Sequence, residues 1–162
     1  MASDYTDSSS SSEFFIHTLE ELAELAARVV EKLRASASER ADVITLSGEL
    51  GAGKTAFVQA IGLTLGVSDP ITSPTFTIRQ RYDTPDERFP TLVHLDAYRF
   101  ESAAELRPLN FEDDLADPRA LVLIEWPERI PGALPDDAVA VSLEITELPT
   151  RRVTVRGLDL AP

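Results

Sequence analysis

The stretch "LSGELGAGKTAF", Leu46 to Phe57, decides the fold. Its residues Gly48 to Thr55 fit the pattern G-x-x-x-x-G-K-[ST] of a phosphate-binding loop in full. The pattern is informative only where a strand precedes it and a helix follows it. The apolar segment 42–47 predicts the strand, and the segment from Lys54 to about Leu65, closed by Gly66, predicts the helix.

The residues of this loop have separate physical tasks. Glycines let the backbone curl so that its N–H groups point at phosphate oxygens, and the helix that follows adds its positive N-terminal end. We expect the Lys54 ammonium to reach the β- and γ-phosphates and the Thr55 hydroxyl to bind Mg²⁺. The residues predicted to contact the nucleotide here are Glu49, Leu50, Gly51, Ala52, Gly53, Lys54, Thr55 and Ala56.

A magnesium site of this kind also needs a carboxylate at the end of a neighbouring apolar strand. The chain offers two: Asp96 ends T-L-V-H-L-D, and Glu125 ends A-L-V-L-I-E. Both are expected at the carboxyl ends of strands, where ligands bind in open α/β sheets. Sequence logic alone does not tell which acid holds the metal and which activates water, and either could be a surface acid at a strand end.

The segment T-S-P-T-F-T, 72–77, lies between the predicted loop helix and the Asp96 strand. In P-loop proteins this region often carries a switch whose hydroxyl senses the γ-phosphate. Thr75 and Ser73 are the candidates for that role. The alternative is that the segment only begins a strand.

The remaining pattern predicts an α/β fold with three layers, a P-loop NTPase-like domain with a mixed central sheet. Thr18 begins a capping-box pattern with Glu21, and the apolar spacing that follows predicts an amphipathic helix over about 19–35. We expect a flexible Ser-rich tail over 1–12 and one domain over 13–162. Strands are expected at 13–18, 42–47, 75–82, 91–96 and 120–126, with two short helices after 101 and two more strands, 138–145 and 151–158, antiparallel at one edge.

Composition narrows the function further. The formal net charge is -13, which disfavours autonomous nucleic-acid binding because an acidic surface repels phosphate backbones. The chain has no cysteine, so thiolate catalysis and cysteine-bound metal are excluded. We expect no membrane span and no secretory signal, since there is no long apolar run and the N-terminus has no basic or apolar region. The cytoplasm is the expected compartment.

Some classes of P-loop protein can be set aside. GTPases read guanine with an Asn-Lys-x-Asp motif, and the only asparagine here, Asn110, has no lysine after it. A small-molecule kinase would need an arginine-bearing lid. This class is not excluded, because the chain has arginines that could form such a lid: Arg79, Arg81, Arg99 and Arg107. His17 and His94 lack metal-ligand spacing, so we expect core or hydrogen-bonding roles for both.

Four segments in order, GELGAGKT, SPTF, HLDAYR and IEW, resemble the TsaE family, also called YjeE. The resemblance covers roughly residues 14–130. The family is the small ATPase of the bacterial machinery that makes threonylcarbamoyladenosine in tRNA. The chain departs from it in two places: family members often have Leu-Gly where this sequence has Leu109 followed by Asn110, and the Ser-rich N-terminal tail is extra.

The resemblance implies roles for residues that spacing left open. Gly48 to Thr55 looks like the Walker A loop, and Asp96 looks like the Walker B acid near Mg²⁺. Glu125 resembles the second essential acid, near the γ-phosphate and the metal. Thr75 and its neighbours resemble the switch-like loop, and Trp126 is placed like a family tryptophan close to the nucleotide.

These implications lead to one main hypothesis. It is a Mg²⁺-dependent ATPase, slow alone, that binds ATP or ADP and serves as accessory subunit of a TsaB–TsaD complex. Lys54, Asp96 and Glu125 are then the catalytic residues, and Thr55, Asp96 and Glu125 the metal-binding ones. A small-molecule kinase and a nucleotide-gated binding module without essential hydrolysis are the alternatives.

Overall fold

The computed structural model of the chain describes residues 10–72 and 78–160. Within these two ranges, seven strands form one sheet, and three α-helices and three 3₁₀ segments connect them. In chain order the elements are β1 (Ser11–Ile16), α1 (Leu19–Arg34), β2 (Asp42–Ser47), α2 (Lys54–Leu65), β3 (Arg79–Asp83), β4 (Thr91–Asp96), a 3₁₀ helix (Ala103–Leu109), α3 (Phe111–Ala116), β5 (Ala120–Glu125), 3₁₀ turns (Pro127–Arg129 and Pro131–Ala133), β6 (Val139–Ile145) and β7 (Arg151–Arg156).

The sheet is mixed, with the strand order β1-β7-β6-β2-β5-β4-β3. Its centre is parallel, because β2 pairs in parallel with both β5 and β6, and β5 with β4. The other pairs, β1 with β7, β7 with β6 and β3 with β4, are antiparallel. The parallel centre explains the continuous burial of β5, since helices cover both of its faces.

Two apolar clusters, one on each face of the sheet, make the fold three-layered. Leu121 and Leu123 of β5 point into the cluster that also contains the buried residues of α1 and α2. Val122 and Ile124 alternate with them and point into the second cluster, which contains Phe111 of α3. The predicted three-layer α/β fold with a mixed sheet is confirmed.

The ends of α1 and α2 follow local chemistry. The Thr18 hydroxyl accepts a hydrogen bond from the Glu21 N–H at 3.1 Å, and the Glu21 carboxylate accepts one from the His17 N–H at 2.6 Å. Helix α2 begins at Lys54, directly after the phosphate-binding loop, and ends at Leu65, with Gly66 as its C-cap. Gly66 has φ 82, a left-handed conformation that glycine adopts without strain.

Several expected boundaries need correction. Strand β1 begins at Ser11, so two residues assigned to the Ser-rich tail belong to the sheet, while residues 1–9 of that prediction lie outside the described part. Strand β3 begins at Arg79, and 73–77 also lie outside it. Strands β6 and β7 are antiparallel as expected but lie inside the sheet, because β1 pairs with β7 and takes the edge.

The departure at Asn110 has a structural context. Asn110 has φ 55 and joins the 3₁₀ helix to α3, so it occupies the left-handed region where glycine is favoured. Asparagine tolerates this region better than most residues do. Across the described ranges, no helix is long and apolar enough to cross a membrane.

Candidate nucleotide site

The candidate site lies where the carboxyl ends of the parallel strands meet the N-terminus of α2. Glu125 ends β5, with Leu46 of β2 beside it on one side and Asp96 of β4 on the other. Because neighbours in register share a face, the Asp96 and Glu125 side chains project from the same face of the sheet. This face is the one that α2 covers, so the two acids predicted from strand ends come together beside Lys54 and Thr55.

The phosphate-binding loop has a backbone that only glycine suits. Gly48, Gly51 and Gly53 have φ values of 147, 81 and 111. A Cβ added to Gly48 would also lie 2.4 Å from the Leu143 carbonyl oxygen of β6. The loop is therefore strained by any side chain at Gly48, and its shape depends on a close approach to a neighbouring strand.

Lys54 is a buried cation that no carboxylate neutralises directly. Its side chain is 5% exposed, and Nζ donates to the Gly48 and Glu49 carbonyl oxygens at 2.6 and 2.9 Å. Within residues 10–72 and 78–160 Lys54 forms no ion pair. Burial lowers the pKa of its ammonium, although nearby carboxylates such as Glu125 act to raise that pKa. An anion bound in the loop would supply the missing charge.

Thr55 and Glu125 are in contact across the site. The Thr55 hydroxyl donates to Oε1 of Glu125 at 3.3 Å. The Glu125 side chain is 3% exposed, so the carboxylate is inside the protein and aimed at the first turn of α2. The Thr55 hydroxyl, predicted to bind Mg²⁺, and the Glu125 carboxylate, one of the two predicted metal ligands, are therefore in direct contact.

The other oxygen of Glu125 contacts a histidine. His94 lies on β4, two residues before Asp96, and is fully buried. Its Nε2 lies 2.6 Å from Oε2 of Glu125. The other predicted histidine, His17, has Nδ1 at 2.9 Å from the Thr150 hydroxyl. Hydrogen-bonding roles are confirmed for both, but the sequence had not connected His94 to an acid of the site.

Asp96 occupies the edge of the site. Its Oδ1 accepts a hydrogen bond from the Tyr98 N–H at 3.0 Å. Burial raises the pKa of the Asp96 carboxyl, and the nearby Glu125 carboxylate raises it further. A divalent cation between the two acids would offset this unfavourable burial of like charges. Among the described residues, no group of three or more His, Cys, Asp or Glu side chains is arranged to hold a metal ion by itself.

Trp126 forms one wall of the site. It follows Glu125 with φ 59, and its N–H donates to the Leu46 carbonyl oxygen at 3.1 Å. Its ring lies 4.4 Å from Nζ of Lys54 and 5.0 Å from the Tyr98 ring. The sequence had left Trp126 open between a nucleotide contact and an apolar plug, and the structure places it against the loop lysine.

One feature next to the candidate site was not predicted from the sequence. A cavity of about 320 Å³ opens beside the phosphate-binding loop and includes Ala52, Gly53 and Ala56. Its other walls come from the start of α1 and from the β6–β7 region, including Thr18, Leu143 and Arg151. Arg151 reaches the Gly51 carbonyl oxygen at 3.5 Å. No spacing signal joins these segments, because the pairing of β1 with β7 brings them together.

Other predicted residues lie away from this centre or outside the description. Glu49 and Leu50 are exposed at the tip of the loop. Ser73 and Thr75, the switch candidates, lie outside the described residues. Arg79, offered for a kinase lid, is bound to Asp114 through Nε at 2.5 Å. Arg107 lines a separate cavity of about 620 Å³ beside α3, which contains none of the predicted site residues.

Comparison with known proteins agrees with this geometry. The family model described as "Threonylcarbamoyl adenosine biosynthesis protein TsaE" matches residues 16–153. The tRNA threonylcarbamoyladenosine biosynthesis protein TsaE of Streptomyces coelicolor is 36% identical over 142 residues, covering 85% of this chain and 90% of the relative. The Bacillus subtilis protein of the same name is 34% identical over 127 residues, 78% of this chain and 77% of the relative.

A solved structure shows the same fold. The crystal structure of YdiB from Bacillus subtilis superposes with a TM-score of 0.71 and covers 95% of this chain and 90% of its own. Sequence identity in that superposition is 24%, so this likeness supports the fold alone. The match to the family model is independent of it and includes the whole candidate site.

Proposed function

Because the chain belongs to the TsaE family, we propose that it is a Mg²⁺-dependent ATPase that serves the formation of threonylcarbamoyladenosine in tRNA. The observation that carries the proposal is the Lys54 ammonium in a glycine loop, which forms no ion pair with the described residues and lies beside the Thr55–Glu125 contact. A buried cation in a glycine-rich loop is suited to phosphate oxygens, and the Asp96 and Glu125 carboxylates are suited to hold a metal ion and to activate water.

The residues divide the chemistry of γ-phosphate transfer to water. Lys54 and the loop N–H groups hold the β- and γ-phosphates and stabilise the charge that develops on them. Bound Mg²⁺ would neutralise further phosphate charge, with Thr55, Asp96 and Glu125 as the residues that hold it. Glu125 offers Oε1 on the side of the nucleotide, where it orients the attacking water and accepts its proton.

The adjoining cavity suits the base of the nucleotide. It lies beside Ala52 and Gly53, has apolar walls that include Leu22 and Leu143, and is large enough for an aromatic ring system at about 320 Å³. In this proposal the phosphates extend from the cavity towards Lys54. Trp126 closes the opposite end, next to the γ-phosphate.

Family membership and net charge support a proposal for the partners. We place the chain in the cytoplasm as the accessory subunit of a TsaB–TsaD complex, with ATP hydrolysis supporting repeated turnover of that complex. The net charge of -13 supports an arrangement in which other subunits hold the tRNA. Hydrolysis by the chain alone is then slow, because the complex completes the site.

A reconstituted modification assay tests the proposal. Purified chain, TsaB, TsaD and the synthase that supplies threonylcarbamoyl adenylate are followed over several turnovers, with ATP hydrolysis measured in parallel. We expect Lys54→Ala and Glu125→Ala to abolish hydrolysis and multiple turnover while Glu24→Ala, an exposed acid on α1, behaves as wild type. Sustained modification by Glu125→Ala would show a nucleotide-gated binding module instead. Hydrolysis stimulated by a metabolite and not by the proteins would show a kinase.

A further inference from the structure

His94 is the most deeply buried polar side chain near the site. It is fully buried on β4, and its Nε2 lies 2.6 Å from Oε2 of Glu125. In the part of the chain that the structure describes, its Nδ1 is the one buried side-chain nitrogen or oxygen without a hydrogen-bond partner. A polar ring kept in an apolar layer for one short contact indicates that this contact has a use.

We propose that His94 is a positioning residue that holds Glu125 in its working orientation, an inference that rests on the ATPase function proposed above. Glu125 has two carboxylate oxygens with separate neighbours. Oε2 is bound by His94, and Oε1 faces the Thr55 hydroxyl at 3.3 Å. His94 thereby fixes the carboxylate plane and leaves Oε1 for the nucleotide side.

The hydrogen-bond pattern determines which ring nitrogen carries the proton. Oε2 of an ionised Glu125 can only accept, so Nε2 of His94 donates to it. The contact therefore requires a proton on Nε2 of His94.

Among the residues that the structure describes, His94 is the only hydrogen-bond partner of Oε2 of Glu125. The Thr55 hydroxyl contacts only Oε1, and the Glu125 carbonyl oxygen is used by the backbone N–H of Ala97 at 3.0 Å. Without His94, the carboxylate is free to rotate about its last torsion, which is broad for glutamate. A small misplacement of a catalytic group lowers turnover by up to about 100-fold.

Two amide substitutions at position 94 distinguish the effect of the hydrogen-bond donor to Glu125 from the effect of a buried polar side chain. In His94→Gln the amide nitrogen lies near the position of Nε2, so the contact with Glu125 is retained. In His94→Asn the amide nitrogen lies near the position of Nδ1, so Glu125 loses its donor while the site keeps a buried amide. His94→Met removes the donor at a similar volume and replaces the asparagine variant if that variant does not fold.

The test uses the full chain with its TsaB–TsaD partners and measures kcat and KM. We expect His94→Asn to lower kcat about 100-fold with KM raised by no more than about 10-fold, and His94→Gln to retain kcat within about fivefold. Thermal unfolding of both variants measures their loss of Tm. If His94 had only a structural role, the losses of kcat would follow the losses of Tm. Equal kcat for the two amides, or kcat losses that follow the loss of Tm, would overturn the proposal.

A second readout does not require hydrolysis. Fluorescence of Trp126, the single tryptophan, reports the Kd of ATP with Mg²⁺ and with EDTA. We expect the factor by which Mg²⁺ tightens binding to fall about 10-fold in His94→Asn and to persist in His94→Gln. An unchanged factor in His94→Asn contradicts the positioning role. If the wild-type chain neither binds nor hydrolyses ATP, the proposed ATPase function is wrong. If the wild type is active and only the His94 variants behave alike, the positioning role alone is wrong.

Discussion

The phosphate loop, Gly48–Thr55, and the acid wall, made of His94, Asp96 and Glu125, serve one site by different means. The loop is one continuous segment whose shape requires glycines with positive φ. The wall is assembled from two strands, and it acts through single side-chain atoms such as Oε1 and Oε2 of Glu125. The loop is therefore expected to tolerate little change of backbone, and the wall little change of side-chain chemistry.

Lys54 belongs to the loop but acts through a side chain, so it gives the largest expected effect. Lys54→Ala removes a buried ammonium aimed at the phosphates, and we expect kcat/KM for ATP to fall about 10³-fold. Steady-state hydrolysis with the partner complex measures it. Lys32→Ala, which alters the only other lysine, on the exposed face of α1, is the matched control. Hydrolysis by Lys54→Ala within threefold of wild type would contradict the assignment.

Asp96 tests the metal side of the acid wall. Asp96→Asn keeps the shape but removes the charge, so we expect the free Mg²⁺ needed for half-maximal hydrolysis to rise about 10- to 100-fold. Titration of Mg²⁺ at saturating ATP measures the change, and Asp113→Asn, an exposed acid of α3, is the control. The same Mg²⁺ requirement in Asp96→Asn and wild type would remove Asp96 from the metal site.

Gly48 tests whether the loop depends on its backbone. Gly48→Ala would place a Cβ 2.4 Å from the Leu143 carbonyl oxygen at a φ of 147. We expect the free energy of unfolding to fall by about 2 kcal/mol and ATP affinity to fall with it. Urea unfolding measures the first quantity. Gly132→Ala, where a Cβ meets nothing within 4 Å, is expected to be neutral. Equal stability of the two variants would show that the loop can move away from β6.

Ala56 tests the cavity beside the loop and gives the smallest expected effect. Ala56→Leu fills part of the space assigned to the base, so we expect KM for ATP to rise about 5- to 10-fold with kcat within twofold, since the acid wall is untouched. Steady-state kinetics at saturating Mg²⁺ separates the two constants. A fall in kcat with unchanged KM would place the base elsewhere.

The same contrast explains what could be predicted from the sequence. Strands β2 and β4 and helix α2 have the predicted ends, because a glycine loop, a continuous apolar run and a helix-ending glycine act within a few residues. The acids at the ends of β4 and β5 were found for the same reason. The resemblance to a family then separated their roles, which remain predictions.

Features that depend on distant pairing were not predicted. Strand β1 takes the edge beside β7 because of contacts between residues far apart in the chain, and this pairing builds the cavity between Thr18 and Arg151. The role of His94 also depends on its neighbour in β5, although a polar residue inside the apolar run T-L-V-H-L-D was a visible signal. Periodicity identifies which residues are buried, but it does not identify the atoms that they contact.

The most direct test of the account separates binding from hydrolysis at Glu125. Glu125→Gln keeps the size of the side chain and removes its charge. Trp126 fluorescence gives the Kd of Mg²⁺·ATP, and release of phosphate in a single turnover with TsaB–TsaD gives the rate. The account predicts a Kd raised by about 10-fold, because one metal ligand loses its charge, and a rate at saturating ATP lowered at least about 100-fold. Phosphate release at the wild-type rate would contradict the claim that this buried carboxylate activates the attacking water.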